Sequence, residues 1–528
     1  MASNLKVNLI NMAFRNLARH KVKTIITSIA VAIGVALYIW MDAWLLGMNI
    51  DSQRNIVNYE VGSSKIYSKA YFDNKDNMPM YETFYNYQEI VDNLDKNGFN
   101  STPRMVFGGS LISINQENPF MFIGVNPDLE KKMFSYHKFV KDGRFIENGK
   151  FEILLGDRGA KNLEVKIGDT VRLSTVIDKK VVPDRIKKEP FIEDIIKKLD
   201  ENEKKIVDSN YYLTTIEELE SKVDYYILKS DISNIEKDKL MKILNKIEFK
   251  GLIRHINQLI ELTVVGIVNS PNPKTNGNIG YIPLDILQDE MGLLLEGGIT
   301  EICIRKKGIN EALLPDKSEN IDVVKNILSS FMDVKETKLT VNGNKKIKSF
   351  TNFDKRITLN DDLILISWQE DVIDYLNVAA GDNVGNRLII IILFVISFVG
   401  IANTMLMAVL ERTKEIGMLR SMGMTDTSIV RLFFYEAGFI GFIGSMCGII
   451  VGILLNIYMV NVGIDFSKMM ENFGTDYGYR IVGYFKSAWN FKVIIASGII
   501  ATIISAMTAI LPSLRAVKIT IVEALRFE

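Results

Sequence analysis

Leu410 to Glu436 reads LERTKEIGMLRSMGMTDTSIVRLFFYE. One apolar run, Leu388–Leu410, ends where it begins, and another, Leu432–Val460, starts inside it. Between the runs lie Arg412, Lys414, Arg420 and Arg431, with the acids Glu411, Glu415 and Asp426 among them. A short loop rich in Lys and Arg between two membrane spans is expected on the cytoplasmic side. Ile416, Leu419, Met422 and Met424 recur inside it at roughly helical spacing. Two readings stand at this point: an amphipathic turn resting on lipid headgroups, or a short helix presenting its apolar side to a soluble partner.

Outward from this stretch, two further apolar runs are long enough to span a bilayer, Thr24–Met48 and Phe491–Leu511, the latter followed by Pro512. The first is too long for the core of a signal peptide and has no clear small-residue cleavage site. The basic, amphipathic arm 1–23, with Leu5, Leu9, Met12, Phe14 and Leu17 near one face, reads as an interfacial helix. Ala30 with Gly34, and Gly444, Gly448 and Gly452 four apart, offer small faces for close helix packing. Asp42, flanked by Trp40 and Trp44, sits at interface depth. Lys and Arg cluster in the arm, in the 411–431 loop and in the tail 512–528, which places both termini in the cytoplasm.

The predicted fold is therefore an α-helical membrane protein with four transmembrane helices and a large α+β extracytoplasmic domain inserted between helices 1 and 2. The spans are expected at 24–48, 387–410, 432–460 and 490–511, the domain at 49–386, and a smaller external loop at 461–489. Within the domain, 106–127 reads as strand–turn–strand. Glu152–Leu155 and Thr170–Val176 are strand-like, with a short helix between them and a turn at Gly168-Asp169. ELTVVGIV (261–268) is a β-branched run, and Asn342-Gly343 signals a hairpin. Residues from about 178 to 258, rich in Lys, Glu, Asp and Ile, read as a helical insertion.

The chain has 528 residues and no net formal charge, so no basic face points to nucleic acid. Its mean hydropathy is slightly positive although a quarter of its residues are charged, which fits segregation of apolar and charged residues along the chain. Two cysteines, Cys303 and Cys447, and three scattered histidines, His20, His137 and His255, suggest neither a disulfide nor a metal site.

Several stretches resemble a permease subunit of the MacB/LolC/LolE/FtsX superfamily of ABC transporters. They are ERTKEIGMLRSMGMTDTSIVRLFFYEAGFIG (411–441), PSLRAVKITIVEALRFE (512–528), the 143–173 segment with LTVVGIV, and NLARHKVKTIITSIAVAIGVAL (16–37). SWQEDVIDYL (367–376) is similar to the LolC/LolE branch. The long 178–258 insertion departs from the family pattern. The resemblance implies that 411–424 is a coupling helix seated on a partner ATPase. Glu411, Arg412, Glu415 and Arg420 would make charged contacts there, Ile416, Leu419 and Met422 would pack, and Gly417 and Gly423 would permit close approach. No G-x-x-x-x-G-K-[ST] loop occurs in the sequence, so ATP and Mg are expected on a partner ABC ATPase dimer and no enzyme activity on this chain.

The resemblance further implies a second permease subunit, identical or paralogous, in a bacterial inner (cytoplasmic) membrane. For the Lol branch the work is extraction of lipoproteins and their release to the periplasm, with a periplasmic chaperone as a candidate receiver. Acyl chains then need an apolar cleft facing membrane lipid, expected at Leu37, Trp40, Met41, Trp44 and Leu45 with Leu393, Phe394 and Val395. The alternatives are a MacB-like exporter of peptides or small molecules and an FtsX-like subunit signalling to a cell-wall hydrolase.

Overall fold

The computed structural model describes residues 2–19, 21–80, 82–180, 182–188, 199–218, 221–230, 253–290, 297–316, 319–338, 355–466 and 483–526, with 232, 236, 237, 239, 240, 243 and 244. The described residues divide into two compact units, one holding those up to Ile56 and from Val372 onward, the other those from Val57 to Asp371.

The first unit is helical: α1 (Ala2–Arg19), α2 (Lys21–Ile56), α3 (Ile373–Glu411), α4 (Thr413–Ser421), α5 (Asp426–Asn461), α6 (Phe491–Thr508), α7 (Ile510–Val517) and α8 (Ile521–Arg526). Among the described residues, three helices are long and apolar enough to cross a membrane: Thr24–Val61, Asp426–Asn461 and Phe491–Val517. The expected second span lies within α3. Helices outrun their apolar segments because i→i−4 bonding does not require apolar side chains. Thus α2 continues eight residues past Met48, with Asp51 and Arg54 paired at 2.8 Å on its surface. Tyr375, near the start of α3, donates its hydroxyl proton to Ser52 on α2 at 2.6 Å. The domain expected at 49–386 is accordingly shorter at both ends, Val57 to Asp371. The expected third span likewise starts earlier, at Asp426.

Pro512 does not end the fourth run. The helix breaks at Ala509, and Pro512 occupies the first turn of α7, where a missing N–H leaves no bond unmade.

The glycines of α5 pack inside the unit. A Cβ on Gly444 would stand 2.7 Å from the Ser28 carbonyl, one on Gly448 2.6 Å from that of Ala32, and one on Gly452 3.1 Å from Ile39 Cβ. The close face of α2 is therefore Ser28, Val31, Ala32, Val35 and Ile39, while Ala30, expected in it, is exposed. The segment between α5 and α6 carries a two-strand ladder, Ile464–Asp465 with Tyr484–Phe485.

The second unit is a twelve-stranded sheet with helices. Its strands are β1 (Ser64–Ser68), β2 (Phe99–Ile112), β3 (Glu117–Val125), β4 (Val140–Gly143), β5 (Glu152–Gly156) and β6 (Thr170–Lys180), then β10 (Ile253–Val268), β11 (Ile279–Pro283), β12 (Glu301–Lys306), β13 (Val334–Lys338), β14 (Lys355–Leu359) and β15 (Leu363–Ser367). The pairings β2–β3–β11–β5–β10–β6 return to β2, so six strands close a ring and leave no free edge. Phe107, Leu111, Phe122, Leu155, Val171, Leu173, Leu262 and Val264 belong to the apolar core of this unit. Gly109 permits the closure, since a Cβ there would lie 2.7 Å from the Ser174 carbonyl.

The insertion between β6 and β10 is mixed, where a helical one was expected. Its described residues include the helix Glu201–Asn210, helical residues among 236–244, and a three-stranded antiparallel sheet of β7 (Arg185–Lys187), β8 (Tyr211–Glu218) and β9 (Ser221–Leu228). The Asn342-Gly343 hairpin lies outside the described residues. Both cysteines are free thiols.

A charged network is buried in this unit. Arg104 pairs with Glu130 at 2.5 Å, and Glu130 also accepts from Thr102 and Tyr136, each at 2.9 Å. Lys65 pairs with Glu301 at 3.0 Å and with Asp371 at 3.2 Å. Burial alone would raise the Asp371 carboxyl, but the Lys65 and Lys75 ammonium groups outweigh it and hold its pKa at about 2, below the ordinary 3.8. A depressed folded-state pKa stabilises the fold above the unfolded value, and that contribution is lost as pH falls through about 2. In thermal unfolding of the full-length protein, Asp371→Asn should cost on the order of 2 kcal/mol at neutral pH. The gap between the two proteins should narrow from about pH 4 downward; a gap independent of pH would contradict the assignment.

Candidate functional site: the elbow between α3 and α5

Two helix ends and two caps build this elbow. α3 stops at Arg412, and the Thr413 hydroxyl donates to the Leu410 carbonyl at 2.7 Å, occupying one of the acceptors left open at the helix end. α4 then runs for nine residues and ends in a Schellman motif. The Gly423 N–H donates to the Arg420 carbonyl and the Met424 N–H to that of Leu419, each at 3.0 Å. Gly423 has φ +92°, a left-handed conformation that ends the helix, and open space lies where a Cβ would stand. Thr425 caps α5 by accepting the Ser428 N–H at 3.3 Å.

α4 has two faces. Thr413, Ile416 and Gly417 are buried, and Ile416 joins the core formed with Leu17, Val31, Val409, Ile429 and Phe433. The expectation that Ile416 packs on a partner is therefore corrected: its side chain is consumed by its own bundle. Leu419 is half-buried, whereas Glu411, Lys414, Met418, Met422 and Gly423 are exposed, with Met422 at 75%.

The charges divide in the same way. Arg412 is buried, its Nη1 donating to both Glu436 carboxylate oxygens at 3.0 and 3.1 Å, its Nε to Glu415 at 3.1 Å, and its guanidinium lying over the Phe433 ring. Glu415 also meets Arg19 of α1 at 3.4 Å. The run Glu436–Arg412–Glu415–Arg19 thus ties α5, the end of α3, α4 and α1 together. Arg412 is an internal strut, in place of the expected outward charge. Arg420 pairs with Asp426 at 3.1 Å and donates to the Ile519 carbonyl at 2.5 Å, just before α8.

Glu436, Arg19 and Ile519 were not among the residues expected here. Glu436 had a signal, because an acid at the edge of an apolar helix requires a partner.

The predicted cleft residues occupy different surroundings. Leu37 and Val395 are exposed, and Trp40, Met41 and Leu45 are half-buried. Trp44 stacks on Trp40 with ring centroids 6.0 Å apart and packs against Phe466 and Phe485, so the segment bearing the Ile464–Asp465 ladder covers it. The side chains of Leu393 and Phe394 lie outside the described residues. Among the described residues, no group of three His, Cys, Asp or Glu is placed to hold a metal ion.

Comparison with known proteins adds two family matches. The FtsX-like permease C-terminal model matches residues 387–521, and the MacB-like periplasmic core domain model matches residues 24–186. The chain thus carries an FtsX-like permease region and a MacB-like periplasmic core region, a combination consistent with the MacB/LolC/FtsX superfamily of ABC-transporter permeases. It is 32% identical over 131 residues to an uncharacterized ABC transporter permease, MJ1507, of Methanocaldococcus jannaschii (25% of this chain, 29% of that protein). It is 35% identical over 136 residues to the ABC transporter permease YtrF of Bacillus subtilis (25% and 30%). It is 24% identical over 141 residues to the lipoprotein-releasing system transmembrane protein LolC of Neisseria meningitidis (27% and 34%). The matches span about a third or less of the length of these relatives. Membrane-permease relatives and long apolar helices fit a membrane protein, and the elbow falls within the FtsX-like match.

Arg412→Met would remove the buried guanidinium that Glu436 faces, which should cost about 3–5 kcal/mol of stability in lipid nanodiscs. Adding Glu436→Leu should restore most of it. A single variant as stable as the native protein would show the strut to be idle.

Proposed function

We propose that this chain is the permease subunit of an ABC transporter driven by a separate ATPase dimer, working with a second permease subunit. The observation that carries this reading is the elbow. A nine-residue helix sits between two long helices, is held from inside by Arg412 and Glu436, and offers an outer face of Lys414, Met418 and Met422 that its own unit leaves uncovered. Exposed methionines beside a lysine suit a groove that is part apolar and part acidic. Push on that face reaches α3 and α5 through the strut rather than through a flexible loop. ATP and Mg belong on the partner. Four spans, a cytoplasmic elbow with both termini on its side, and an external second unit follow from the basic residues flanking the spans.

Lipoprotein release is the transport reaction we favour. Its support is the similarity to LolC proteins of Neisseria meningitidis and Xylella fastidiosa, with an apolar stripe on α2 at Ile29, Ile33 and Leu37 that faces away from the bundle. In this reading acyl chains enter along Leu37, Trp40 and Met41, and a periplasmic chaperone receives the cargo. Similarity to the macrolide export protein MacB of Shewanella oneidensis supports a second reading, export of a small molecule.

In membranes containing the native ATPase, Met422→Asp should reduce co-purification of that ATPase at least tenfold while leaving the folded permease in the membrane (about 1.4 kcal/mol per tenfold). Undiminished assembly would remove the elbow from the coupling path. Photo-crosslinking from Trp40 should capture a lipid-anchored protein; capture of bulk lipid alone would favour the export reading.

A further inference from the structure

The second unit begins and ends at points gripped from its own interior. It opens with the π-helical turn Val57–Val61, which continues the chain from α2, and it closes at Asp371, two residues before α3. The turn is held at several places. Asn58 donates to the Glu311 carbonyl at 2.8 Å and accepts from Arg305. Tyr59 meets the Phe139 ring edge-on, and the Glu60 carboxylate takes Lys274 and Asn272.

One run of buried charges leads from this turn to Asp371. Arg104 Nη1 donates to the Glu60 carbonyl at 2.8 Å and stands 3.8 Å from Glu301 Oε1. Glu301 Oε2 holds Lys65 Nζ at 3.0 Å, and Lys65 Nζ holds Asp371 Oδ2 at 3.2 Å. The four side chains are 3–7% exposed. Tyr67 adds a hydroxyl donated to Asp371 at 3.0 Å, and Lys75 adds an ammonium 3.4 Å away. With Glu130 beside Arg104, three cations face three carboxylates, so loss of any one leaves a buried charge without its counterpart. Apolar side chains would fill this space with no desolvation penalty. What the ionic run provides instead is direction: each group accepts one geometry, and the two ends of the unit are referred to the same strands, β2, β12 and β1.

We infer that Lys65 and Arg104 are positioning residues that yoke the Val57–Val61 turn to Asp371, so that the two chain crossings of the second unit move together. For a permease that works by transmitted motion, which rests on the function proposed above, a yoked base delivers displacement of α2 or α3 to the whole sheet. An unyoked base would let each helix slip separately.

The test is hydrogen exchange on the full-length chain in lipid nanodiscs, without any ATPase, so failure of the transport reading leaves it decisive. Asp371→Asn should speed amide exchange at Trp368–Asp371 and also at Val57–Val61, by about tenfold or more, with β3 and β11 unchanged. Lys65→Met combined with Asp371→Asn should be no faster at Val57–Val61 than either single variant, because both break the same link. Faster exchange confined to Trp368–Asp371 would overturn the yoke. Should Asp371→Asn loosen the entire unit, Tyr67→Phe decides, since it keeps every charge and removes only the hydroxyl. A smaller acceleration at both ends supports the yoke, and one at a single end refutes it.

Discussion

Arg412 is held by Glu436 across a buried contact of 3.0 Å, and the placement of α4 depends on it. A guanidinium at the end of one long helix and a carboxylate in the first turns of the next can be buried only as a pair. Pairing brings α3 and α5 together at this level and leaves a short segment to turn the corner. The Schellman end at Gly423 and the Thr425 cap then set the angle at which the chain leaves. Ile416 is drawn inward, and Met418 and Met422 are left outside. The face available to a partner is thus decided by an interaction on the opposite side of the helix.

The same logic recurs in the second unit at larger scale. Its closed ring of six strands has an apolar interior, while its charged groups lie on strands adjoining the two places where the chain enters and leaves. Apolar packing resists changes of volume without choosing particular partners, whereas a buried charge-assisted pair fixes distance and angle between named groups. Ionic contacts therefore stand where the chain passes between units, and apolar ones fill the rest. Such a division suits a protein whose work is to carry motion. In the function proposed above, the apolar stripe of α2 and the elbow of α4 are the surfaces it offers to lipid and to a partner.

Much of this was legible in the residues. Hydropathy located the long helices, basic residues marked the elbow, and β-branched alternation gave β2, β3, β5 and β10. Helix ends were not legible, because NIDSQRNI after Met48 is helical without being apolar. The inward turn of Ile416 was hidden for another reason: it depends on Val31, Ile429 and Phe433, which no local spacing reveals. In the insertion, abundant Lys and Glu masked the alternation of YYLTTIEE and KVDYYIL, which pair as β8 and β9. Lys65 lies hundreds of positions from both Glu301 and Asp371, so their network exists only once the sheet has formed.

The most direct test of the account concerns α3, the helix that runs from the second unit to the elbow. If it crosses the membrane, those two parts face opposite compartments. Single cysteines introduced at Ile114, which is almost fully exposed in the second unit, and at Met422 on the elbow can be probed in intact cells with a membrane-impermeant maleimide. The account predicts labelling at 114 in intact cells and at 422 only after the membrane is opened. Labelling of both positions from the same side would contradict it.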